Sequence, residues 1–577
     1  MNVSNINKKL WPVFIIILSS MFVMVPFFHN GVLHAGVDMS FHLNRAYELS
    51  ENLKHGSLFP YIYTYSFNQV GMPLGMVYGS LPLYPIAICL ALFKNPILAV
   101  YCGIWCILVI AMLISYWIGL KYWNGSQKKA LLFSFIYVIS VYMFNFFFRS
   151  FDIGQASGLA FLPLIAYGCY SIFFKDRSEW YLLSLGMTCV IYTHILSTLM
   201  YSAFVLFIIV LGLLFTDHRL KRLLSFSYAV ILTLGMTIFY WVTLLQTFAH
   251  NQLTVTKFSS IASAGQGFGD LLVKTLNSNS SLALGVILFA AIIVGLLSWG
   301  KLSVRTKVIG FIGLIFCLIT TNEFNFIWHF VNKTPLKALQ WPGRFFSISF
   351  FLLAVFATES FSLLFVQSEN KKIYYVFLLL GIIFVSLSNS YTFIDESAQQ
   401  KPVNFVPSKF NRLPFSDYQI TNKAGFSYVT TEYNTGVGST DYWPTKSMQD
   451  SEDIRDHIAL IDKKPVKVNP LSKPNGVRYD IYSTKKKSKI DLPFLYYFEY
   501  KVKLNGKKIQ SFRSARSTML VNLQKGKNSI NIKYVPSVKI KITKYVSLIS
   551  IILLFVIMLI SHGKEVSPLD LLKDNTK

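Results

Sequence analysis

The chain has 577 residues, of which 53% are hydrophobic and only 14% are charged. Because a soluble domain carries roughly a quarter charged residues, this composition excludes an ordinary soluble protein and favours one embedded in a bilayer. The net charge of +27 would suit a nucleic-acid partner, but no nucleic-acid-binding motif accompanies it. The basic residues divide between short loops and one polar region, so membrane topology and an anionic surface explain them.

Apolar blocks along most of the chain predict membrane-spanning helices, which need about 20 residues each to cross the hydrocarbon core. The blocks occupy residues 11–28, 97–120, 130–148, 158–174, 180–195, 198–215, 223–245, 281–299, 308–320, 345–366, 373–390 and 546–560. The first follows Lys8 and Lys9 and is interpreted as an uncleaved anchor. Residues 81–93 are apolar but interrupted by Pro82 and Pro85, and we interpret them as re-entrant or interfacial. The prediction is about 12 spans, or 13 if this segment crosses.

The first loop contains the most informative local pattern. Asp38, His42 and Arg45 fall on one stripe of a predicted helix that ends at Gly56 and Pro60. A neighbouring apolar stripe predicts that this helix lies on the membrane surface. In one interpretation Asp38 only caps the helix, while His42 and Arg45 face water. In the other, Asp38 is a general base at the interface and the cations face an anionic phosphate.

Basic residues in short loops stay on the cytoplasmic side, which predicts the orientation. The basic loops at 121–129, 175–179, 217–222, 301–307 and 369–372, with the N-terminus and the tail from 562, are then cytoplasmic. Residues 149–155, 248–280, 321–342 and 391–543 are correspondingly outside. The predicted organisation is a transmembrane region, 1–390, with a first external loop at 29–80. An extracytoplasmic, mainly-β domain follows at 391–543, and a last helix and cytoplasmic tail at 544–577.

The segment 391–543 changes character, because it is charged, rich in asparagine and punctuated by proline. Tyr500–Leu504, followed by Asn505-Gly506 and 507–509, predicts a β-hairpin with a type I′ turn. Residues 518–523 and 529–534 repeat the pattern around Gly526. The sequence therefore predicts an all-α polytopic membrane protein that carries a small β-sandwich-like domain.

Four stretches together resemble a known family. The Asp38-x-x-x-His42-x-x-Arg45 helix resembles the first loop of bacterial GT-C membrane glycosyltransferases, closest to the YfhO-like proteins, also labelled "6-pyruvoyl-tetrahydropterin synthase related". His194-x-x-Ser197 resembles the family's mid-chain His-x-x-Ser element. Residues 339–345, which include Arg344, and the stretch 491–506 resemble two further family elements. The chain departs from the pattern at 498–499, where relatives tend to carry Pro-Gly, and the label does not imply pterin chemistry.

The resemblance implies a GT-C-like fold and an inverting transfer of sugar from a polyprenyl-phosphate-linked donor to an acceptor outside the membrane. It gives Asp38 the role of general base. Arg344, followed by Arg45, is the candidate for meeting the charge of the leaving phosphate, and His42 and His194 are candidates for phosphate or sugar contact. The alternative for His194 is a histidine packed between helices.

Other candidate residues have two interpretations each. Arg149 and Asp152 are either a local ion pair or secondary site residues. Glu432 and Tyr433 suit contact with an acceptor, but the core of a β-domain explains a tyrosine as well. No metal-ligand constellation is visible, although a divalent ion bound by the first loop stays open, and no other cofactor is indicated.

Three functions remain open at this point. The first is a glycosyltransferase acting on a cell-envelope glycopolymer such as a teichoic acid. The second is a transporter or flippase of lipid-linked envelope precursors, for which paired internal repeats are expected and are not seen. The third is a non-catalytic scaffold that holds envelope polymer. All three place the protein in the cell membrane as a multi-pass protein.

Overall fold

The computed structural model describes residues 3–255, 260–261, 265–278, 282–366, 371–403, 418–432 and 439–565. A helical bundle makes up most of these residues, and a β region lies between its last two long helices. The helices are α1 Val3–Asn30, α2 Met39–Lys54, α3 Leu74–Val77, α4 Tyr84–Leu92, α5 Pro96–Tyr122, α6 Gln127–Val138, α7 Val141–Phe144, α8 Ile153–Phe174, α9 Tyr181–Ile191, α10 Ile195–Phe215, α11 Arg219–His250, α12 Phe268–Asn277, α13 Gly285–Leu297, α14 Val304–Leu318, α15 Asn325–Val331, α16 Phe346–Val366, α17 Lys371–Ser397, α18 Lys423–Ser427, α19 Ser451–Arg455 and α20 Val538–Glu565.

Eight helices in the described part of the chain are long and apolar enough to cross a membrane. They are Leu10–Asn30, Pro96–Tyr122, Ile153–Phe174, Ile195–Phe215, Arg219–His250, Pro342–Phe365, Lys372–Ser397 and Val538–Ser561. A ninth forms if Gln127–Val138 and Val141–Arg149, which are bent by 42° against each other, count as one broken span. The predicted polytopic helical membrane protein with a β domain is confirmed.

The predicted number of about 12 full spans exceeds this count because hydropathy does not show where a helix stops. The apolar blocks at 180–195, 281–299 and 308–320 do form helices, but they form the short α9, α13 and α14. Residues 81–93 form a 3-10 turn followed by the nine-residue α4, too short to cross a bilayer alone. This length agrees with the re-entrant or interfacial interpretation.

The basic loops converge at one end of the bundle, which we call the basic end (residues 121–129, 175–179, 217–222 and 301–307). Lys121 is paired with Glu179 across two of these loops. Lys129 forms a 2.7 Å ion pair with Glu359 of α16, whose carboxylate also accepts from the Trp123 indole at 2.7 Å. Glu359, the acidic residue inside an apolar block, is therefore neutralised by a partner in the adjacent loop.

The β region begins after α17 and ends before α20. Its strands are β2 Lys401–Pro402, β3 Tyr418–Ile420, β4 Ile458–Ile461, β5 Lys464–Lys467, β6 Leu471–Lys473, β7 Gly476–Ser483, β8 Ser488–Leu495, β9 Tyr500–Leu504, β10 Lys507–Ile509, β11 Phe512–Arg513, β12 Thr518–Leu523 and β13 Gly526–Tyr534. Two five-stranded antiparallel sheets have the orders β10-β9-β13-β7-β6 and β11-β12-β8-β4-β5. Their apolar faces, including Ile532 of one sheet and Val521 of the other, share one core, as in a sandwich.

The predicted hairpin is confirmed: β9 pairs antiparallel with β10, with Leu504 opposite Lys507. Asn505 and Gly506 have φ values of 49° and 84°, the two left-handed residues that a type I′ turn requires. The second predicted hairpin is wrong in its pairing. β12 pairs with β8, whereas β13 pairs with β7 and β9 in the other sheet, so the turn at Gly526 crosses between the sheets.

The first loop and the β region pack together at the end of the bundle opposite the basic end, which we call the β end. The short strand β1, Leu33–His34, pairs with β3 of the β region. The Leu495 amide donates to the carbonyl of Val70 at 2.9 Å. A Cβ on Gly71 would lie 2.7 Å from the Phe494 ring, so glycine allows this close packing.

Helix α2 differs from the predicted surface helix, because protein covers it on most sides and 12 of its 16 residues are buried. Its polar side chains serve neighbouring loops instead of water. Glu48 accepts from the amides of Thr64 and Ser66, each at 2.9 Å, and Asn44 donates to the carbonyl of Val429 at 2.9 Å. Burial raises the pKa of Glu48 to about 7, against the effect of these amide donors. The predicted end of the helix near Gly56 is confirmed.

Candidate functional site

Polar side chains from four separate segments meet at the β end of the bundle. Asp38 precedes α2, Asp152 precedes α8 and His194 precedes α10, while Arg344 lies in the 3-10 turn Pro342–Phe345 that leads into α16. Each residue therefore stands where a helix begins. The helices fix the positions of these four residues, and the polar side chains of Asp152, His194 and Arg344 lie just before the apolar part of a membrane-spanning helix.

Gly36 brings the first loop against the loop before α8. A Cβ at this position would lie 2.7 Å from the carbonyl oxygen of Arg149, so only glycine permits the approach. Two residues on, the Asp38 amide donates to the carbonyl of Ser150 at 2.9 Å. Asp38 occupies the N-cap position of α2, but its carboxylate makes no capping hydrogen bond. The capping interpretation of Asp38 therefore finds no support in the contacts.

Asp152 and His42 face each other next to Asp38. Asp152 Oδ1 accepts from the Gln155 amide at 2.9 Å and lies 3.9 Å from His42 Nε2. His42 Nδ1 lies 3.4 Å from a guanidinium nitrogen of Arg45. Because a guanidinium can only donate, Nδ1 is the acceptor, and the ring proton is on Nε2, towards Asp152.

Arg45 is fully buried and held by neutral groups. It donates to the carbonyl of Gly79, and its guanidinium carbon lies 4.2 Å from the centre of the Tyr78 ring. Arg45 therefore does not face water, as one interpretation of the sequence had it, but is a buried cation beside His42. The Nε of Arg45 has no hydrogen-bond partner among the described residues.

His194 lies at the start of α10, and the Ser197 hydroxyl is 2.8 Å from its Nδ1. The Ser197 amide also donates to this nitrogen, at 3.3 Å. Since Nδ1 is an acceptor, Nε2 carries the ring proton and is a donor. The predicted His-x-x-Ser element is therefore a capping arrangement that fixes the tautomer of the histidine.

Arg344 is 8% exposed, and three neutral acceptors hold its guanidinium. Its Nε donates to the carbonyl of Leu339 at 3.0 Å, one terminal nitrogen donates to Gln155 Oε1 at 2.7 Å, and the other donates to Gln340 Oε1. A guanidinium has five N–H groups, so two remain after these contacts. The arrangement fixes the cation, and no carboxylate of the described residues forms an ion pair with it.

The electrostatics of the cluster separate its two carboxyl groups. Burial raises the pKa of Asp38 to about 7, and the neighbouring Asp152 adds to this rise while Arg344 opposes it. Burial also opposes the ionisation of Asp152, but interaction with the two histidines and Arg344 holds its pKa below the usual value. Burial lowers the pKa of His42 to about 3 and of His194 to about 4, so both rings are neutral near neutral pH.

The same residues include a candidate set of metal ligands. One ligand atom from each of Asp38, His42 and Asp152 lies within 4.8 Å of the others, a spacing that a divalent cation could bridge. However, the His42 nitrogen that faces Asp152 carries a proton while Arg45 donates to the opposite nitrogen. That proton would have to leave before a metal could bind. The donor set fits proton transfer better than metal binding.

The structure brings together most of the residues predicted for the site, namely Asp38, His42, Arg45, Asp152, His194 and Arg344. Arg149 is not among them and does not pair with Asp152. It forms a 2.5 Å ion pair with Glu396 of α17. The backbone of Glu432 ends a π-helical turn, whereas its side chain and Tyr433 lie outside the described residues.

Two residues that hold the site were not predicted individually. Gln155 follows Asp152 by three positions on α8 and links the Asp152 cap to the guanidinium of Arg344. Tyr78 stacks on Arg45 and lies 6.2 Å, ring centre to ring centre, from His194. The i, i+3 spacing of Asp152 and Gln155 was a signal for the first, and nothing in the sequence marked Tyr78.

Comparison with known protein families gives a match to the larger part of the chain. A family model described as "6-pyruvoyl-tetrahydropterin synthase related domain; membrane protein" matches residues 76–394, more than half of the chain. The matched region contains Asp152, His194 and Arg344, while Asp38 and the β region lie outside it. No curated protein matches the chain.

Proposed function

The chain belongs to the family of 6-pyruvoyl-tetrahydropterin synthase related membrane proteins, and we propose that it is a glycosyltransferase that uses a polyprenyl-phosphate-linked sugar. One observation carries the proposal. A buried carboxyl group with a pKa of about 7, Asp38, lies in a cluster with the fixed guanidinium of Arg344, which forms no ion pair with a described carboxylate. A general base works best when its pKa is near the operating pH, which suits Asp38. The pair of Asp38 and Arg344 therefore suits the transfer of a sugar from a phosphate leaving group to a hydroxyl.

In the proposed reaction, ionised Asp38 takes the proton from an acceptor hydroxyl as its oxygen attacks the anomeric carbon. The new C–O bond forms while the bond from that carbon to the phosphate oxygen breaks, and the electron pair leaves with the polyprenyl phosphate. Attack opposite the leaving group inverts the anomeric centre. Burial raises the pKa of Asp38 towards the range that suits proton transfer, and the ionised Asp152 beside it adds to this rise.

Arg344 is the proposed partner of the departing phosphate. Two of its N–H groups remain free after the contacts to Leu339, Gln155 and Gln340. Fixed donors aimed at a developing negative charge lower the barrier, because they need no reorganisation during the reaction. The Nε2–H of His194 and the cation of Arg45 are the next donors at the same end of the bundle.

The acceptor is proposed to be an anionic cell-envelope glycopolymer such as a teichoic acid. Lys501 of β9 stands directly opposite Lys533 of β13, and Lys503 of β9 opposite Lys508 of β10. We call these four exposed residues the lysine face. Like charges directly opposite each other destabilise a sheet, so their presence favours a polyanion as the partner of this surface. The β end would then face outwards, as the basic loops at the other end favour.

The experiment compares Asp38→Asn with the parent protein in a strain that lacks the native gene. We expect Asp38→Asn to abolish sugar incorporation into the envelope polymer while the protein still inserts into the membrane. Asp217→Asn, at an exposed position of the basic end, is the matched control and should retain full activity. Sugar incorporation by Asp38→Asn at the parent level would exclude the catalytic role of Asp38.

A further inference from the structure

The half of the bundle next to the basic end contains an apolar cavity that the proposed reaction does not use. Its volume is about 620 Å³, within the usual range for small-molecule sites. It lies between α5, α6, α8, α10, α14 and α16. The same α8, α10 and α16 carry Asp152, His194 and Arg344 at their other ends.

The cavity has a buried floor and an open mouth. At the floor, the side chains of Phe133, Phe204 and Phe351 are at most 6% exposed. At the mouth, Phe215 is 76% exposed and Phe174 is 40% exposed. These two residues end α10 and α8 next to the loops of the basic end, so the mouth lies at the border between hydrocarbon and water. An occupant must be apolar inside and polar at this border.

The polar groups in the wall face away from the cavity or lie at its mouth. The Trp123 indole donates to Glu359 at 2.7 Å, and the Tyr167 hydroxyl donates to Glu179 at 2.6 Å, so both rings offer apolar surface inwards. Arg305, at the start of α14, is exposed and packs over the Tyr170 ring at 5.4 Å. It forms no ion pair with any carboxylate in the described part of the chain.

We propose that this cavity binds one acyl chain of an anionic phospholipid, with the lipid phosphate on Arg305. The apolar wall of the cavity suits an acyl chain. Arg305, which lies beside aromatic rings and forms no ion pair with a described carboxylate, suits an anionic headgroup. The lipid-linked donor is a less suitable occupant. Its phosphate is proposed to lie at Arg344, and the buried phenylalanines of the cavity floor separate that end of the bundle from the mouth at Phe215, about 27 Å from Ser197 at the helical rise of α10.

The site has a structural consequence for the bundle. An acyl chain in the cavity would fill the space between the helices that position Asp152, His194 and Arg344. When the cavity is empty, the side chains that line it lack packing contacts on one side. Binding of lipid at the basic end should therefore stabilise the arrangement at the β end, although the two sites take different molecules.

The test uses the full-length protein reconstituted with equal amounts of dioleoyl phosphatidylglycerol and dioleoyl phosphatidylcholine. Native mass spectrometry after mild extraction measures which lipid each protein molecule retains. We expect phosphatidylglycerol to be retained several-fold more than phosphatidylcholine, because both lipids offer a phosphate to Arg305 but the choline ammonium of the second offsets the charge of its phosphate. Arg305→Gln should remove this preference. Lys307→Gln, two residues on and packed on Trp299, is the charge-matched control and should preserve it.

A second variant tests the acyl chain separately from the headgroup. Ala166→Phe places a ring in the cavity and should reduce retention of both lipids roughly tenfold, with unchanged or improved thermal stability. Equal retention of the two lipids by the parent protein would overturn the proposal, and so would an unchanged preference in Arg305→Gln. Displacement of phosphatidylglycerol by added polyprenyl phosphate would also overturn it, because the cavity would then belong to the donor.

Discussion

The neighbouring carboxyl groups of Asp38 and Asp152 have pKa values that are shifted in opposite directions. Asp152 accepts an amide hydrogen bond at the start of α8 and faces the Nε2–H of His42, so its charged form is stabilised. Asp38 lacks a capping hydrogen bond and sits beside the charge of Asp152. The environment therefore favours different protonation states, with Asp152 ionised near neutral pH and Asp38 able to exchange a proton there.

This difference predicts a pH dependence of the proposed reaction. Asp38 must be ionised to act as a base and its pKa is raised to about 7, so kcat/KM should rise as the pH increases through about 7. Asp152→Asn removes a charge that raises the pKa of Asp38, and should move the midpoint of the profile to lower pH. Transfer assays with the reconstituted protein across this pH range measure both midpoints. An unchanged midpoint in Asp152→Asn would contradict the coupling.

At the level of single residues, sequence patterns found the charged candidates but not their partners. The spacing of Asp38, His42 and Arg45 was visible because a helix repeats every 3.6 residues. Their burial was not visible, because it depends on the β region and on the loop before α8, which are remote in sequence. For the same reason Arg149 was paired with the nearby Asp152 in one interpretation, whereas it pairs with Glu396 of α17.

Elements whose structure depends on local interactions were predicted best. The Asn505-Gly506 hairpin has the expected register, because two residues with positive φ specify the turn whatever surrounds it. Strands 518–523 and 529–534 were found, but their partners were not, since a turn around Gly526 can stay in one sheet or cross to another. Helix α2 was placed on the membrane surface, because its polar face fits buried hydrogen bonds as well as water.

The contact between the first loop and the loop before α8 yields a prediction at this scale. Gly36→Ala places a methyl group 2.7 Å from the Arg149 carbonyl, and the two loops must separate. Asp38 should then lose its position relative to Asp152, and kcat should fall at least about 100-fold, as small displacements of catalytic groups do. Thermal unfolding should occur at a somewhat lower temperature, because such overpacking costs about 1–3 kcal/mol, but the protein should still fold because the long helices keep their contacts. Gly269→Ala, whose Cβ meets no atom within 4 Å, is the control and should remain active.

Across the whole molecule, the charge distribution has two poles with different structural origins. At the basic end the lysines of the loops pair with Glu179 and Glu359, so their charge is partly neutralised within the protein. On the lysine face no member forms an ion pair with a carboxylate of the described residues. Composition predicted a basic protein. Only the strand register distinguishes the loop lysines, whose charge serves topology, from lysines that have no carboxylate partner among the described residues.

The lysine face should therefore affect stability and acceptor binding in opposite directions. Replacing Lys501 and Lys503 with glutamine removes repulsion across β9, so thermal unfolding should occur at the same or a slightly higher temperature, an effect of a few tenths of a kcal/mol. The KM for an anionic polymer acceptor should rise several-fold, and its dependence on salt should weaken, because two fewer cations meet the polymer.

The matched control for this change is the pair Lys464→Gln and Lys467→Gln, on the exposed strand β5 of the other sheet. This variant alters the net charge by the same amount but leaves the lysine face intact, so KM and its salt dependence should stay at the parent values. Equal effects of the two double variants would mean that net charge alone attracts the acceptor. A lower unfolding temperature for the Lys501 and Lys503 variant would mean that these lysines stabilise the sheet.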